Sequence, residues 1–170
     1  MIGEADAESD RDLGIALRLR LGSVLVDEVK RIDDALAQFR AVYDTDSENA
    51  EAIEALERLY RTTSRFNELL EIQKRKLQLA EDTEAKKTIR YAIAELFVNE
   101  LQDRASAIAT YNEVLEDDPA DAPALEALDT LYRLQEQWEQ YVDVLKRRIE
   151  LNLGDAVTVD LKYRLGSTLE

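Results

Sequence analysis

The sequence predicts an all-α chain built as a stack of antiparallel helical hairpins, about four hairpins plus one extra helix. Three observations predict it. A repeat runs through the chain at an offset of 72 residues, apolar residues recur at helical spacing, and breakers are scarce, with 5 glycines and 2 prolines among 170 residues. Few breakers favour long helices joined by short turns over a β-rich fold.

The repeat comes first, because it sets the register for everything else. Ala52-Ile53-Glu54-Ala55-Leu56-Glu57-Arg58-Leu59-Tyr60-Arg61 matches Ala124-Leu125-Glu126-Ala127-Leu128-Asp129-Thr130-Leu131-Tyr132-Arg133. The same offset pairs Ala35-Leu36 with Ala107-Ile108, Phe39 with Tyr111, Phe66 with Trp138, and Lys74-Arg75 with Lys146-Arg147. Leu21-Gly22-Ser23 returns as Ile93-Ala94-Glu95 and again as Leu165-Gly166-Ser167. Each long unit holds two hairpins, so one hairpin takes about 36 residues, within the range of helical solenoids.

The apolar stripes place the helices. Trp138, Tyr141, Val142, Leu145 and Ile149 lie on one face. Ile32, Ala35, Leu36, Phe39, Val42 and Tyr43 form a second stripe, and Ile53, Leu56, Leu59 and Tyr60 a third. Nine helices follow, over 11–29, 33–44, 49–62, 65–80, 84–101, 104–116, 122–134, 136–152 and 156–170. Asp10, Ser47 or Asn49, Asp121 and Asp155 are the predicted N-caps, because a short polar side chain can accept from an orphan helix N–H. Gly154 is the predicted stop of the eighth helix. Pro119 sits in an acidic turn, where it breaks no helix interior. Phe39, Phe66, Tyr111 and Trp138 are predicted core aromatics. Residues 1–10 read as a flexible acidic tail and 11–170 as one solenoid domain.

These residues resemble tetratricopeptide repeats. Ala94, Phe97, Ala107, Tyr111 and Pro119 match the small and aromatic positions and the closing proline of that family. Gly22, Leu25, Ala35 and Phe39 repeat the pattern, with Ser47 in place of the proline. The alternate hairpins keep Leu56 with Tyr60 and Leu128 with Tyr132. They put Glu57 and Asp129 where the family has a small residue, which suggests a wider helix crossing there. The resemblance implies a right-handed superhelical solenoid whose first helix in each hairpin lines a concave groove for peptides or helices. Carried over by register, the groove set is Glu54, Arg58, Arg61, Tyr91, Glu95, Glu126, Thr130, Arg133 and Tyr163. Tyr91 and Tyr163 stand out as large aromatics one position off the apolar seam, either presented to a partner or partly buried against a neighbouring helix. Family members that hold acidic chaperone tails use Lys and Asn at comparable places. Glu and Arg stand here, which argues against that role.

Composition excludes several functions. There are 37 acidic and 22 basic residues, a net charge of −15. Phosphate backbones and anionic lipids attract basic proteins, so nucleic acid and membrane are disfavoured and a basic protein or peptide partner is favoured. With no cysteine and no histidine there is no thiolate chemistry and no imidazole base. No cofactor motif appears; the glycines are scattered rather than gathered in a phosphate loop. Asp44 to Asn49 begins like a calcium loop, but Asn49 and Ala55 stand where glycine and a bidentate glutamate belong. The basic triplets Lys74-Arg75-Lys76 and Lys146-Arg147-Arg148 fall towards helix ends, where cations suit the helix dipole. The chain therefore reads as a non-enzymatic interaction scaffold. Absence of cysteine suits the cytoplasm and is compatible with the periplasm. Residues 161–166 start a first helix of a new hairpin and Glu170 arrives before its partner helix. The expectation is a fragment of a longer array whose uncapped C-terminal end allows self-association. The two alternative readings are an assembly module and a regulatory segment of a larger protein.

Overall fold

The computed structural model describes residues 2–151 and 154–168, with side chains from residue 9 onward. Among the described residues there are nine α-helices and no strand. They fall into two compact units, residues 1–80 and 81–170.

The first unit holds α1 (Ile2–Val24) with a π-helical turn at Leu25–Val29, then α2 (Ile32–Thr45), α3 (Ala50–Thr62) and α4 (Phe66–Leu79). Each helix packs on the next. Leu19, Leu25, Leu36, Phe39, Val42, Leu56, Leu59, Leu69 and Ile72 are buried between them. The second unit holds α5 (Thr83–Asn99), α6 (Arg104–Asp117), α7 (Ala122–Leu134), α8 (Trp138–Glu150) and α9 (Asp155–Thr168), again packed in sequence order. Ile93, Phe97, Tyr111, Val114, Leu125, Leu128, Leu145 and Leu161 form its core. Leu36, Phe39, Val42, Leu56, Leu59, Leu69, Tyr111, Val114, Leu125, Leu128 and Leu145 come from the predicted stripes or their repeat equivalents, because a helix buries only the residues on one face.

Four turns share one device. Lys30, Ser64, Gln102 and Glu136 take φ of 59°, 56°, 55° and 55°, and each lies inside a hairpin between its first and second helix. The left-handed residue turns the chain so that the next N–H closes the helix end. Arg65 N–H donates to Tyr60 O and Gln137 N–H to Tyr132 O, each at 2.9 Å. In the other two hairpins the loop is one residue wider. There Arg31 reaches Leu25 O at 2.9 Å and Asp103 reaches Phe97 O at 2.8 Å.

Close helix approach is visible at Gly22. A Cβ there would lie 2.6 Å from the Phe39 ring, and Phe39 is itself buried. The predicted small-plus-aromatic pairing is thus a packing contact between α1 and α2.

Several local expectations are corrected. α1 begins at Ile2 rather than 11, so residues 2–10 continue the helix and Asp10 lies within it instead of capping it. Asn49, not Ser47, caps α3 by accepting from Ala52 N–H at 3.0 Å. Asp155 is the first residue of α9, and Gly154, at φ 108°, supplies the carbonyl that accepts from Thr158 N–H. Trp138 is 49% exposed and touches Tyr141 edge-on at 6.1 Å, so it is a rim residue and no core anchor. The expected helix ends at 152 and 170 lie outside the described residues.

Candidate functional site

Glu57 and Asp129, which stand where the family has a small residue, are used as bridges between helices. Glu57 lies on α3, where Lys76 of α4 pairs with it at 2.6 Å, Gln73 donates to it at 2.8 Å and Arg61 reaches it at 3.2 Å. At the equivalent place in the second unit Asp129 is buried, and its two oxygens are taken by Arg148 of α8 and Arg164 of α9. Arg164 also donates to the Tyr141 hydroxyl at 2.8 and 3.1 Å and lies over the Tyr141 ring at 5.6 Å. An isolated carboxylate this deep would be costly, and pairing on both oxygens offsets its desolvation.

The recurring basic triplets are explained by the same contacts. Their third members, Lys76 and Arg148, make these bridges. Their second members tie helix to turn: Arg75 donates to Ser47 O at 3.0 Å and Arg147 to Pro119 O at 2.8 Å. Ser47 and Pro119 are themselves one long repeat apart. The dipole account of these cations is therefore secondary to specific hydrogen bonds.

The paired arginines floor an open hollow of about 590 Å³ between α7, α8 and α9. Glu126, Thr130 and Arg133 line it from α7, and Asp160 and Arg164 from α9. Glu126 approaches Arg148 at 3.4 Å and Asp160 approaches Arg164 at 3.7 Å, while both carboxylates stay exposed. The Arg133 guanidinium has no hydrogen-bond or ion-pair partner among the described residues. The hollow thus has a fixed ionic floor and a loosely held rim of both signs.

The first unit has a smaller hollow, about 280 Å³, beside Ser23 and Phe39. Glu51, Glu54 and Arg58 of α3 line it. Of the nine residues nominated from sequence, Glu126, Thr130 and Arg133 therefore meet in one hollow, and Glu54 and Arg58 in another. Arg61 turns aside to Glu57. Glu95 is exposed on α5, and Tyr163, 77% exposed on α9, lies outside the hollow. Tyr91 is half-buried. Its hydroxyl donates to Asp121, the N-cap of α7, and its ring meets Tyr111 edge-on at 5.8 Å. Lys87 pairs with Asp121 at 2.5 Å and with Asp118 at 3.1 Å. Burial, then the Asp121 hydrogen bond and charge, raise the Tyr91 phenol above its ordinary range.

Sequence reasoning missed Asp129, Arg148, Asp160 and Arg164 as parts of this site. A signal existed for the first two. An acid on the first helix of a hairpin and a base nineteen positions later recur as Glu57 with Lys76 and Asp129 with Arg148.

No family model matches the chain, and no curated protein matches it. Solved structures do. YrrB, described as a TPR protein with an unusual peptide-binding site, superposes with a TM-score of 0.53 at 17% identity, over 98% of this chain and 80% of that one. MamA AMB-1 gives 0.54 at 17% identity over 97% and 85%, and another MamA structure 0.53 at 14% over 92% and 86%. Likeness at such identity concerns the fold, and the fold of this chain is that of a tetratricopeptide-repeat-like helical solenoid. No described helix is long and apolar enough to cross a membrane.

Proposed function

We propose that the chain is a non-enzymatic protein-interaction scaffold, and that the hollow between α7, α8 and α9 is a seat for a peptide or helix of its partner. The observation that carries the reading is the convergence of Glu126, Thr130 and Arg133 with Asp160 and Arg164 over a floor locked by Asp129. A floor held by buried ion pairs loses little freedom on binding, so contacts made to it are spent on affinity rather than on ordering. Charges of both signs on the rim orient a ligand and reject wrong registers. The net charge of −15 favours partners with basic residues, which Glu126 and Asp160 are placed to receive. The likeness to YrrB, a protein described as having a peptide-binding site, supports the same class of role.

The test is selection of binders from a displayed random-peptide library, followed by titration of chosen peptides against wild type, Arg133→Glu and Thr130→Arg. At least a tenfold loss in both variants with unchanged helicity is expected, about 1.4 kcal/mol or more. Equal binding by all three sinks the assignment of this hollow.

A second reading, assembly through the C-terminal helix, is favoured by the exposure of Val159 and Tyr163 on α9. Loss of a concentration-dependent mass increase in Tyr163→Ala would support it, and a monomer at every concentration would remove it.

A further inference from the structure

Helix α1 has two apolar faces. One packs on α2 through Leu19, Gly22 and Leu25. The other carries Leu13, Leu17, Leu21 and Val24, spaced 4, 4 and 3 residues apart, and they are 60%, 60%, 46% and 43% exposed. The repeat register shows what this face ordinarily does. Aligned hairpin on hairpin, Leu17, Leu21 and Val24 correspond to Ala52, Leu56 and Leu59 on α3 and to Ala124, Leu128 and Leu131 on α7, all of them buried; one long repeat on, Ile93 and Leu96 of α5 are buried and Ile89 is half-buried. Helices α3 and α7 are packed between a preceding and a following helix, whereas α1 is covered by α2 and the π-helical turn.

We infer that this face binds a second copy of the chain through α1, the two helices running antiparallel with Leu17 opposite Leu17. Three observations favour this occupant. First, the stripe is self-complementary from Leu13 to Leu21: with Leu17 on the two-fold axis, Leu13 of each copy meets Leu21 of the other, as an isologous contact requires, and Val24 lies at the level of Asp10 at the end of the contact. Second, Gly14 lies in the helix interior on the same edge of the stripe as Leu21, and a Cβ there would meet nothing within 4 Å. A helical glycine costs roughly 0.5–1 kcal/mol relative to alanine, and no contact within the chain calls for it. In the paired arrangement the Leu21 side chain of one copy lies over the bare backbone of Gly14 in the other. Third, the charges at the ends of the stripe match. Asp10 and Arg20 are both exposed and neither has a partner among the described residues, while Arg11 and Arg18 are turned to Thr45 O and Gln38. Antiparallel pairing brings Arg20 of one copy to within roughly 6 Å, along the axis, of Asp10 in the other, a span an arginine covers.

Sedimentation of the whole 170-residue chain over a range of concentrations tests the inference. A dimer is expected, with the dissociation constant raised at least tenfold by Leu17→Glu and by Gly14→Gln. The second substitution improves helix propensity, so a loss of dimer there cannot be a loss of folding. The chain has no cysteine, so Leu17→Cys should close a single intermolecular disulfide under mild oxidation, whereas Lys162→Cys should not. A monomer at every concentration overturns the inference. So does a dimer that ignores Leu17→Glu, including one lost only in Tyr163→Ala, which would move the contact to α9.

Discussion

Glu57 of α3 and Lys76 of α4 meet at 2.6 Å, and one long repeat further on Asp129 and Arg148 make the same bridge. The two versions differ in depth. The Glu57 and Lys76 side chains keep 21% and 31% of their exposure, whereas Asp129 and Arg148 keep 4% and 8%. Removing one partner of a buried pair strands the other charge, at about 3–5 kcal/mol, while in a half-buried pair such as Glu57 with Lys76 water screens the charge left behind and the loss is smaller. Asp129→Ala should therefore destabilise the second unit several-fold more than Glu57→Ala destabilises the first. Trp138 is the single tryptophan and sits in the second unit, so its emission in a urea titration reports the larger loss, and circular dichroism reports the smaller one.

Stability should fall towards both acid and alkali through one cluster. Burial pushes the Asp121 carboxyl up, but its hydrogen bonds from Lys87, Tyr91 and the Ala124 N–H outweigh burial and hold it below its ordinary value. A depressed carboxyl contributes stability that is complete above about pH 4 and is lost as pH falls through the folded value. The raised Tyr91 phenol acts in the opposite sense, contributing fully below about pH 10 and losing its contribution as pH rises further. Urea midpoints measured by Trp138 emission across pH should show both arms. Asp121→Asn should flatten the acid arm and Tyr91→Phe the alkaline one; unchanged slopes would mean that other groups govern them.

Much of this architecture is legible in the residues. The stripe Ile53, Leu56, Leu59 and Tyr60 states both a helix and its buried face, and the 72-residue register transfers that statement to the second unit. What was not legible depended on direction. Nothing in the spacing says that Tyr91 would turn its hydroxyl to a helix cap rather than to a partner, because the acceptor, Asp121, lies 30 residues away. Trp138 shares the stripe of α8 yet is half-exposed, because a stripe marks a face but not how far the neighbouring helix extends over it. Arg164 has Arg20 as its equivalent in the first repeat of the pattern, and Arg20 is exposed with no ion-pair partner among the described residues, so the register carries no sign of the bridge. Asp10 has the side chain of a cap but lies within α1, which begins at Ile2.

Gly22 should resist enlargement. A Cβ at this position would fall 2.6, 2.8 and 2.9 Å from three atoms of the buried Phe39 ring, which would have to shift. Overpacking of this kind costs about 1–3 kcal/mol. Gly22→Val should lower the thermal midpoint of the first unit, and Phe39→Leu in the same chain should recover part of the loss by opening space. A variant as stable as wild type would show that α1 can shift away from α2 freely.

The left-handed turn residues offer the reverse experiment. Ser64 and Glu136 hold φ of 56° and 55° in equivalent turns, each between the two helices of a hairpin, and neither is a glycine. An L side chain in this region costs about 1–2 kcal/mol, and glycine avoids the cost while giving back part of it through its freer unfolded state. Both side chains are exposed and form no hydrogen bond among the described residues, so little is lost on their removal. Ser64→Gly and Glu136→Gly should each stabilise by roughly 0.5–1 kcal/mol. The sites lie in different units and share no partner, so the double variant should show the two gains added within a few tenths of a kcal/mol. The same substitution at an exposed site in mid-helix, Glu95→Gly on α5, should destabilise by about 1 kcal/mol. Parallel thermal melts of the four variants would check both signs, and a loss at Ser64 and Glu136 would mean that the turn is held by something other than its backbone conformation.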